Sequence, residues 1–184
     1  MEDVKNCLWP EGRTRRTVWM IVDAARDRRA YRLLLEGYYS DRACLFSGPL
    51  TPEMELASPY LVQLHPEGSV TDKLIRHGWG NSWGVFLAAE VSLPALRRHL
   101  RTLLMVQDQS GRRLLFRYWD PRVLRVFLPT CREGELRQLF GPVDQILLEA
   151  EDTRQLLSFT VHRGELRRTA TPVPARAAGH ATGT

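Results

Sequence analysis

The segment from Gly78 to Gly84 is the densest candidate for chemistry in this chain. It reads GWGNSWG, and Gly80, Ser82 and Gly84 match the Gly-x-Ser-x-Gly pattern of hydrolase nucleophile elbows. In those enzymes the serine follows a strand and precedes a helix, whereas here the flanking patterns predict a helix before the segment and a strand after it. The segment also lacks the lysine of a phosphate-binding loop. A tight glycine turn is therefore the main interpretation, and a serine hydrolase using Ser82 is the alternative.

The other residues that could bind a metal or attack a substrate are scattered. No two of the three cysteines form a CxxC pair, and no two of the five histidines have i, i+4 spacing, so no metal-ligand pattern is present. Cys131 falls in the first turn of a predicted helix, a place that lowers a thiol pKa. Asp23, Glu90 and Asp120 fall at predicted strand ends or helix caps. We therefore expect no metal, no cofactor and no enzyme activity.

A second dense segment combines arginine with aromatic residues. Residues 112–125 read RRLLFRYWDPRVLR, and in a regular strand Leu115, Arg117 and Trp119 would share one face. Protein interfaces are enriched in arginine, tryptophan and tyrosine, and proteins that bind single-stranded nucleic acid use the same residue types. In the alternative, the aromatic residues fill the core and the arginines pair with acids such as Asp120.

The residues predicted to contact a partner come from both segments. The two tryptophans of the glycine turn are either core residues or part of an exposed apolar binding surface. The other predicted residues belong to the arginine-aromatic segment. The predicted partner-binding residues are Trp79, Trp83, Arg117, Trp119, Arg122 and Arg125.

Composition and charge narrow the class of protein. The chain has 184 residues with 26 basic and 21 acidic side chains, a net charge of +5. This balance allows a nucleic-acid-binding module as an alternative, but acids interrupt the arginines nearly everywhere, which favours a protein partner. No apolar run reaches the ~18–20 residues that cross a bilayer. The first residues, MEDVKNCLWPEGRTRR, contain no apolar signal region, so we expect a cytoplasmic protein without membrane contact.

Apolar periodicity predicts an α/β (mixed α+β) fold, with a mixed sheet flanked by helices. An irregular segment (1–16) precedes the domain (17–168), and a polar, disordered tail (169–184) follows it. The predicted strands lie at about 17–22, 43–46, 60–64, 85–89, 104–106, 114–119, 146–148 and 156–161. The predicted helices lie at about 28–38, 69–78, 93–103, 122–128 and 131–140.

Several segments, in a fixed order, resemble one bacterial family. They read WGVFL from Trp83, LRRHLR from Leu96, FRYWDPRV from Phe116 and FGPV from Phe140. The resemblance spans about residues 17–145, and the family is that of the type VI secretion effector chaperones or adaptors, once known only as a domain of unknown function. Many members continue into a largely helical C-terminal lobe, whereas this sequence continues into a polar tail.

The resemblance implies a non-enzymatic role that needs no cofactor. Such a protein binds a cognate toxin effector in the cytoplasm and helps to load it onto the spike protein at the tip of the secretion tube.

Overall fold

The computed structural model describes residues 2–10, 16–36, 42–108 and 110–173. Within these ranges the strands are β1 Val18–Asp23, β2 Arg42–Cys44, β3 Pro59–Leu64, β4 Gly84–Ala88, β5 Met105–Gln107, β6 Arg113–Leu115, β7 Gln145–Glu149, β8 Gln155–His162 and β9 Glu165–Pro172. The α-helices are α1 Glu2–Leu8, α2 Arg28–Glu36, α3 Pro52–Leu56, α4 Ser69–Gly78, α5 Leu93–Thr102, α6 Pro121–Phe127 and α7 Glu133–Phe140. A short 3-10 turn, Leu128–Thr130, follows α6.

Seven strands form one sheet in the order β2-β3-β1-β4-β7-β8-β9. The α/β class and the flanking helices are confirmed, but each neighbouring pair in this sheet is antiparallel, so the predicted mixture of parallel and antiparallel pairs is wrong. Two helical connections, β1 to β2 through α2 and β3 to β4 through α4, do join parallel strands. However, β3 lies between β1 and β2, and β1 lies between β3 and β4, so those parallel strands are not neighbours.

The centre of the sheet is buried on both faces, since every residue of β1 and β4 is buried and all of these except Asp23 are non-polar. Along β1, Trp19 and Ile21 join one core, whereas Val18, Met20 and Val22 join the other. The first core also takes apolar residues from α5, α6 and α7, and the second takes them from α1, α2 and α4. Successive side chains of a strand point to opposite faces. The domain is therefore a three-layer arrangement with helices on each side of the sheet.

The segments on either side of the predicted domain are more ordered than predicted. Residues 2–8 form α1 rather than an irregular segment, and Val4 and Leu8, one turn apart, are buried in the second core. Lys5 of α1 pairs with Asp72 of α4 at 3.0 Å. Tertiary packing therefore stabilises a helix that is too short to persist by itself.

The first residues of the predicted disordered tail form the last half of β9. Every residue of this strand is paired with β8, and Val173, directly after it, is buried and donates its backbone N–H to the carbonyl of Arg154. The ladder of backbone hydrogen bonds orders a strand whose side chains are mostly exposed. The rest of the predicted tail, 174–184, lies outside the described residues.

The strands β5 and β6 form a separate two-stranded hairpin. The predicted strand 114–119 ends at Leu115, because the chain then turns to bury Tyr118 and Trp119 side by side in the first core. The Tyr118 hydroxyl donates to the carbonyl of Leu100 at 2.8 Å. Among the described residues, no helix combines the length and the apolarity needed to cross a membrane.

Candidate protein-binding surface

The two tryptophans of the glycine turn hold the turn against the body of the protein. Trp83 is buried in the second core, and the Arg29 guanidinium lies 5.8 Å from the centre of its ring. Trp79 is half-buried, and its indole N–H donates to the carbonyl of Thr153 at 3.0 Å. Trp83 is therefore a core residue, whereas contact of Trp79 with a partner remains a prediction.

Ser82 belongs to the same turn and is bound to a buried carboxylate. Its backbone N–H and its hydroxyl donate to one oxygen of Glu149, at 3.0 and 3.1 Å, and the N–H of Gly80 donates to the other oxygen. Burial raises the pKa of Glu149, although these hydrogen bonds oppose the effect. Glu149 thus anchors the turn to the end of β7. These hydrogen bonds give Ser82 a structural role in the turn.

Cys131 is also a poor nucleophile. It precedes α7, and burial, with the charge of Glu135 as a smaller cause, raises the pKa of its thiol to about 11. The predicted lowering of this pKa is therefore wrong. Within the described ranges, no three His, Cys, Asp or Glu side chains are grouped so that they could hold a metal ion.

Arg117 and Arg122 pair with two buried acids near one end of the sheet. Arg117 donates to Asp23, the last residue of β1, at 2.6 Å, and Arg122 contacts both carboxylate oxygens of Asp120, at 2.9 and 2.6 Å. Asp120 also caps α6 by accepting the backbone N–H of Arg122. Burial by itself would raise the pKa of Asp120, but the hydrogen bonds and charge of Arg122 outweigh it and lower the pKa. Both guanidinium groups remain partly exposed.

Arg125 and Trp119 complete the set predicted from sequence. Arg125 donates to the backbone carbonyl of Glu149 at 3.1 Å, which ties α6 to the end of β7. Trp119 is buried, with its ring 5.3 Å from that of Tyr118, and its indole N–H has no partner among the described residues. Arg117, Arg122 and Arg125 therefore have structural partners, Trp119 is a core residue, and binding of a partner by the three arginines remains a prediction.

Most of the exposed large apolar side chains among the described residues lie on the hairpin and on α6. Six apolar side chains there are between 37% and 70% exposed. We call this surface the apolar platform, and it consists of Met105, Val106, Leu114, Leu115, Val123 and Val126. Single exposed apolar residues are normal, but a group of this size is typical of a site that binds another protein.

Hydrogen bonds fix the hairpin at its tip and at its base, in spite of its exposed side chains. At its tip, Asp108 accepts hydrogen bonds from the backbone N–H groups of Ser110 and Arg112 and pairs with the Arg112 side chain at 2.8 Å. At its base, the N–H of Phe116 donates to the carbonyl of Leu104 at 2.9 Å. The pairs Val106–Leu114 and Met105–Leu115 are directly opposite each other. Each face of the hairpin therefore presents one apolar pair.

A groove connects the hairpin to the helices beside it. The ring of Phe116 lies 4.6 Å from that of Phe127 on α6. Both line a cavity of about 310 Å³ together with Met105, Val106 and residues of α7 such as Gln138. The apolar platform therefore adjoins a recess of a size that can take side chains of a partner.

The sequence predicted strands at about 104–106 and 114–119, but it did not predict that their apolar side chains are exposed. Met105-Val106 and Leu114-Leu115 are consecutive apolar pairs on strands of only three residues. In a strand covered on both faces such pairs are buried, as in β1. The hairpin lies outside the main sheet, and all six residues of its strands are exposed. The short spacing of the two apolar pairs around the turn is the signal that could have indicated this exposure.

Comparison with known proteins gives one family. The family model described as "Domain of unknown function (DUF4123)" matches residues 18–138, a range that contains the platform and the arginine ion pairs. No curated protein and no solved structure matches the chain. Since the matched range is more than half of the 184 residues, this chain belongs to the DUF4123 family.

Proposed function

We propose that this protein is a chaperone or adaptor that binds a toxin effector of the type VI secretion system and helps to load it onto the spike protein. The family supports this proposal, since it is associated with effectors of that system. The observation that carries it is the apolar platform, because an adaptor without catalytic chemistry must work through a surface that another protein covers.

The platform suggests how cargo is held. An apolar segment of the effector packs against the exposed apolar side chains of the hairpin and α6, and its side chains enter the recess beside Phe116 and Phe127. Burial of apolar surface supplies most of the binding free energy. In the part of the chain that the structure describes, β5 and β6 pair only with each other, so a cargo strand could add to an outer edge of the hairpin. Binding there shields the segment until it is transferred.

The proposed role involves no catalysis. The hydroxyl of Ser82 is engaged by Glu149, and the carboxylates of Asp23 and Asp120 are engaged by arginines. The protein acts in the cytoplasm, before the effector leaves the cell. Replacing Ser82 by alanine is accordingly expected to leave effector secretion intact, whereas a hydrolase that depended on Ser82 would lose its function.

The proposal is tested by affinity purification of the tagged protein from its native host, at about 0.15 M and about 1 M salt, with partners identified by mass spectrometry. The expected result is a toxin that stays bound at high salt, together with a spike protein, and loss of secretion of that toxin when the adaptor gene is deleted. Apolar association resists salt, whereas binding to nucleic-acid phosphates weakens steeply with it. Recovery of nucleic acid alone, released at high salt, would contradict the proposal.

A further inference from the structure

A second and larger groove lies beside the hairpin on the side of α5. It has a volume of about 560 Å³ and is lined by residues of α5, the hairpin and the segment after β2. We call it the arginine groove, and it is lined by Ser47, Pro94, Arg97, Arg98, Arg101, Thr102, Leu104 and Met105. Among the described lining residues, three of the eight side chains are cationic and none is acidic.

The three arginines of this groove differ in what they contact. Arg97 donates to the backbone carbonyls of Cys44 and Phe46, at 2.8 and 3.4 Å, and so ties α5 to the end of β2. Arg98 and Arg101 are exposed, and within the described residues neither side chain has a hydrogen bond or an ion pair. They lie one turn apart on α5 and line the same groove. Their donors are therefore available to a ligand.

Arg98 and Arg101 contrast with three arginines near the hairpin and α6. Arg112 pairs with Asp108, Arg117 with Asp23 and Arg122 with Asp120. Each of these three charges is neutralised within the chain. Among the described residues, Arg98 and Arg101 have no acidic counter-ion. A carboxylate satisfies two N–H donors of a guanidinium at once.

The arginine groove is continuous with the apolar platform. Met105 belongs to both, and Leu104, which precedes it, lines the groove. An extended or helical segment that crosses this boundary meets apolar side chains first and guanidinium groups within a few residues.

We propose that the platform and the arginine groove together bind a segment of the cargo in which apolar and acidic side chains are close neighbours. Its apolar side chains contact Met105 and Leu104, and its carboxylates pair with Arg98 and Arg101. This inference rests on the proposed function, because it takes the segment to belong to the effector. An acidic peptide fits better than single-stranded nucleic acid, since bases need aromatic side chains to stack on and none of the described residues that line the groove is aromatic.

The test uses a random 12-residue peptide library displayed on phage and selected against three forms of the whole protein. These are the wild type, the variant Arg98→Glu with Arg101→Glu, and a control variant Arg167→Glu with Arg168→Glu. Arg167 and Arg168 are exposed on β9, outside the groove, and both variants change the net charge equally. Urea unfolding of all three forms establishes that the exposed substitutions leave the fold intact.

The wild type and the control variant are expected to select peptides with Asp or Glu within a few residues of large apolar side chains. The groove variant is expected to lose this acidic preference, and its affinity for the strongest selected peptide falls about tenfold, as two exposed ion pairs are worth together. Equal selection by all three forms overturns the proposal. A second outcome also overturns it: the selected peptides show no acidic enrichment, and the wild type binds a fluorescein-labelled 20-nucleotide single-stranded DNA that the groove variant does not bind.

The result separates this inference from the proposed function. If selected peptides are apolar without acids, and binding depends on Leu114 and Leu115 only, the assignment of the groove fails while the adaptor role keeps its support. If no toxin is recovered from the native host, the adaptor role fails whatever the peptides show.

Discussion

The apolar platform gives a quantitative prediction for the double variant Leu114→Ser with Leu115→Ser. These side chains are 46% and 47% exposed, so about half of each remains for a partner to cover. Full burial of a leucine side chain contributes about 1.5–3 kcal/mol, which gives about 1 kcal/mol for each half and about 2 kcal/mol for the pair. At about 1.4 kcal/mol for each factor of ten, the Kd for the effector should rise about 30-fold.

Adjacent residues of a strand point to opposite faces, so the two single variants separate the faces of the hairpin. A partner that covers only the face of Leu114 and Val106 should respond to Leu114→Ser alone, with a rise in Kd of about fivefold.

The matched control is the double variant Leu35→Ser with Leu56→Ser. These leucines lie on α2 and α3, away from the hairpin, and are 54% and 38% exposed, so the control removes a similar apolar area. In the hairpin variant and in the control variant, each substitution also removes the part of the leucine side chain that is buried in the folded protein. The free energies of unfolding of the two variants, measured by urea titration, should therefore fall by similar amounts. Isothermal titration calorimetry with the purified effector measures Kd. An unchanged Kd for the hairpin variant, or an equal loss in the control, would refute the platform as the binding surface.

Three further predictions concern the framework that holds the site. Replacing Gly84 by alanine should destabilise the protein by about 3 kcal/mol, because the added Cβ would lie 1.9 Å from the carbonyl oxygen of Ile21. Replacing Gly134 on α7 by alanine should instead stabilise the protein by about 0.5–1 kcal/mol, because the added Cβ would meet nothing within 4 Å. Urea unfolding of both variants measures these changes. Replacing Arg117 by alanine should cost about 2 kcal/mol, less than for a fully buried pair because the Arg117 side chain is 43% exposed while that of Asp23 is 2% exposed. Adding Asp23→Asn should restore part of this loss, and additive costs in the double-mutant cycle would contradict the coupling. Burial raises the pKa of Glu149 in the folded state, so its contribution to stability is full below the pKa of the unfolded chain and declines as pH rises through the folded value. Between about pH 4 and about pH 7, the free energy of unfolding of Glu149→Gln should therefore rise relative to that of the wild type as pH rises. Parallel curves for the two proteins would show that the pKa of Glu149 is not raised.

Local sequence determined most elements of the core, because their signals do not depend on distant partners. The continuous apolar run of β1 and the helical spacing of Leu96 and Leu100 in α5 predicted the observed structures. Asp120 followed by Pro121 predicted the start of α6, and the aspartate caps the helix as expected. The family resemblance also followed from sequence alone. The family model matches residues 18–138, which lie within the predicted range of about 17–145.

Tertiary structure decided which of the chemistry-bearing residues are exposed. Trp83 and Trp119 looked equally suited to a core or to an interface, and packing against both sheet faces buried them. Arg117 met its acid only because the fold brings residues 94 positions apart into contact. No local pattern contains such a pairing.

Sequence by itself thus determined the residue types, the main helices and strands, and the family of this protein. Only the tertiary structure decided the antiparallel order of the sheet, the ordering of α1 and β9, and the exposure of the hairpin. The physical reason is that a helix or strand signal is local, whereas burial depends on which distant surfaces cover a segment. Leu114 and Leu115 are apolar enough for a core, but the fold places them where no other part of the described chain covers them fully.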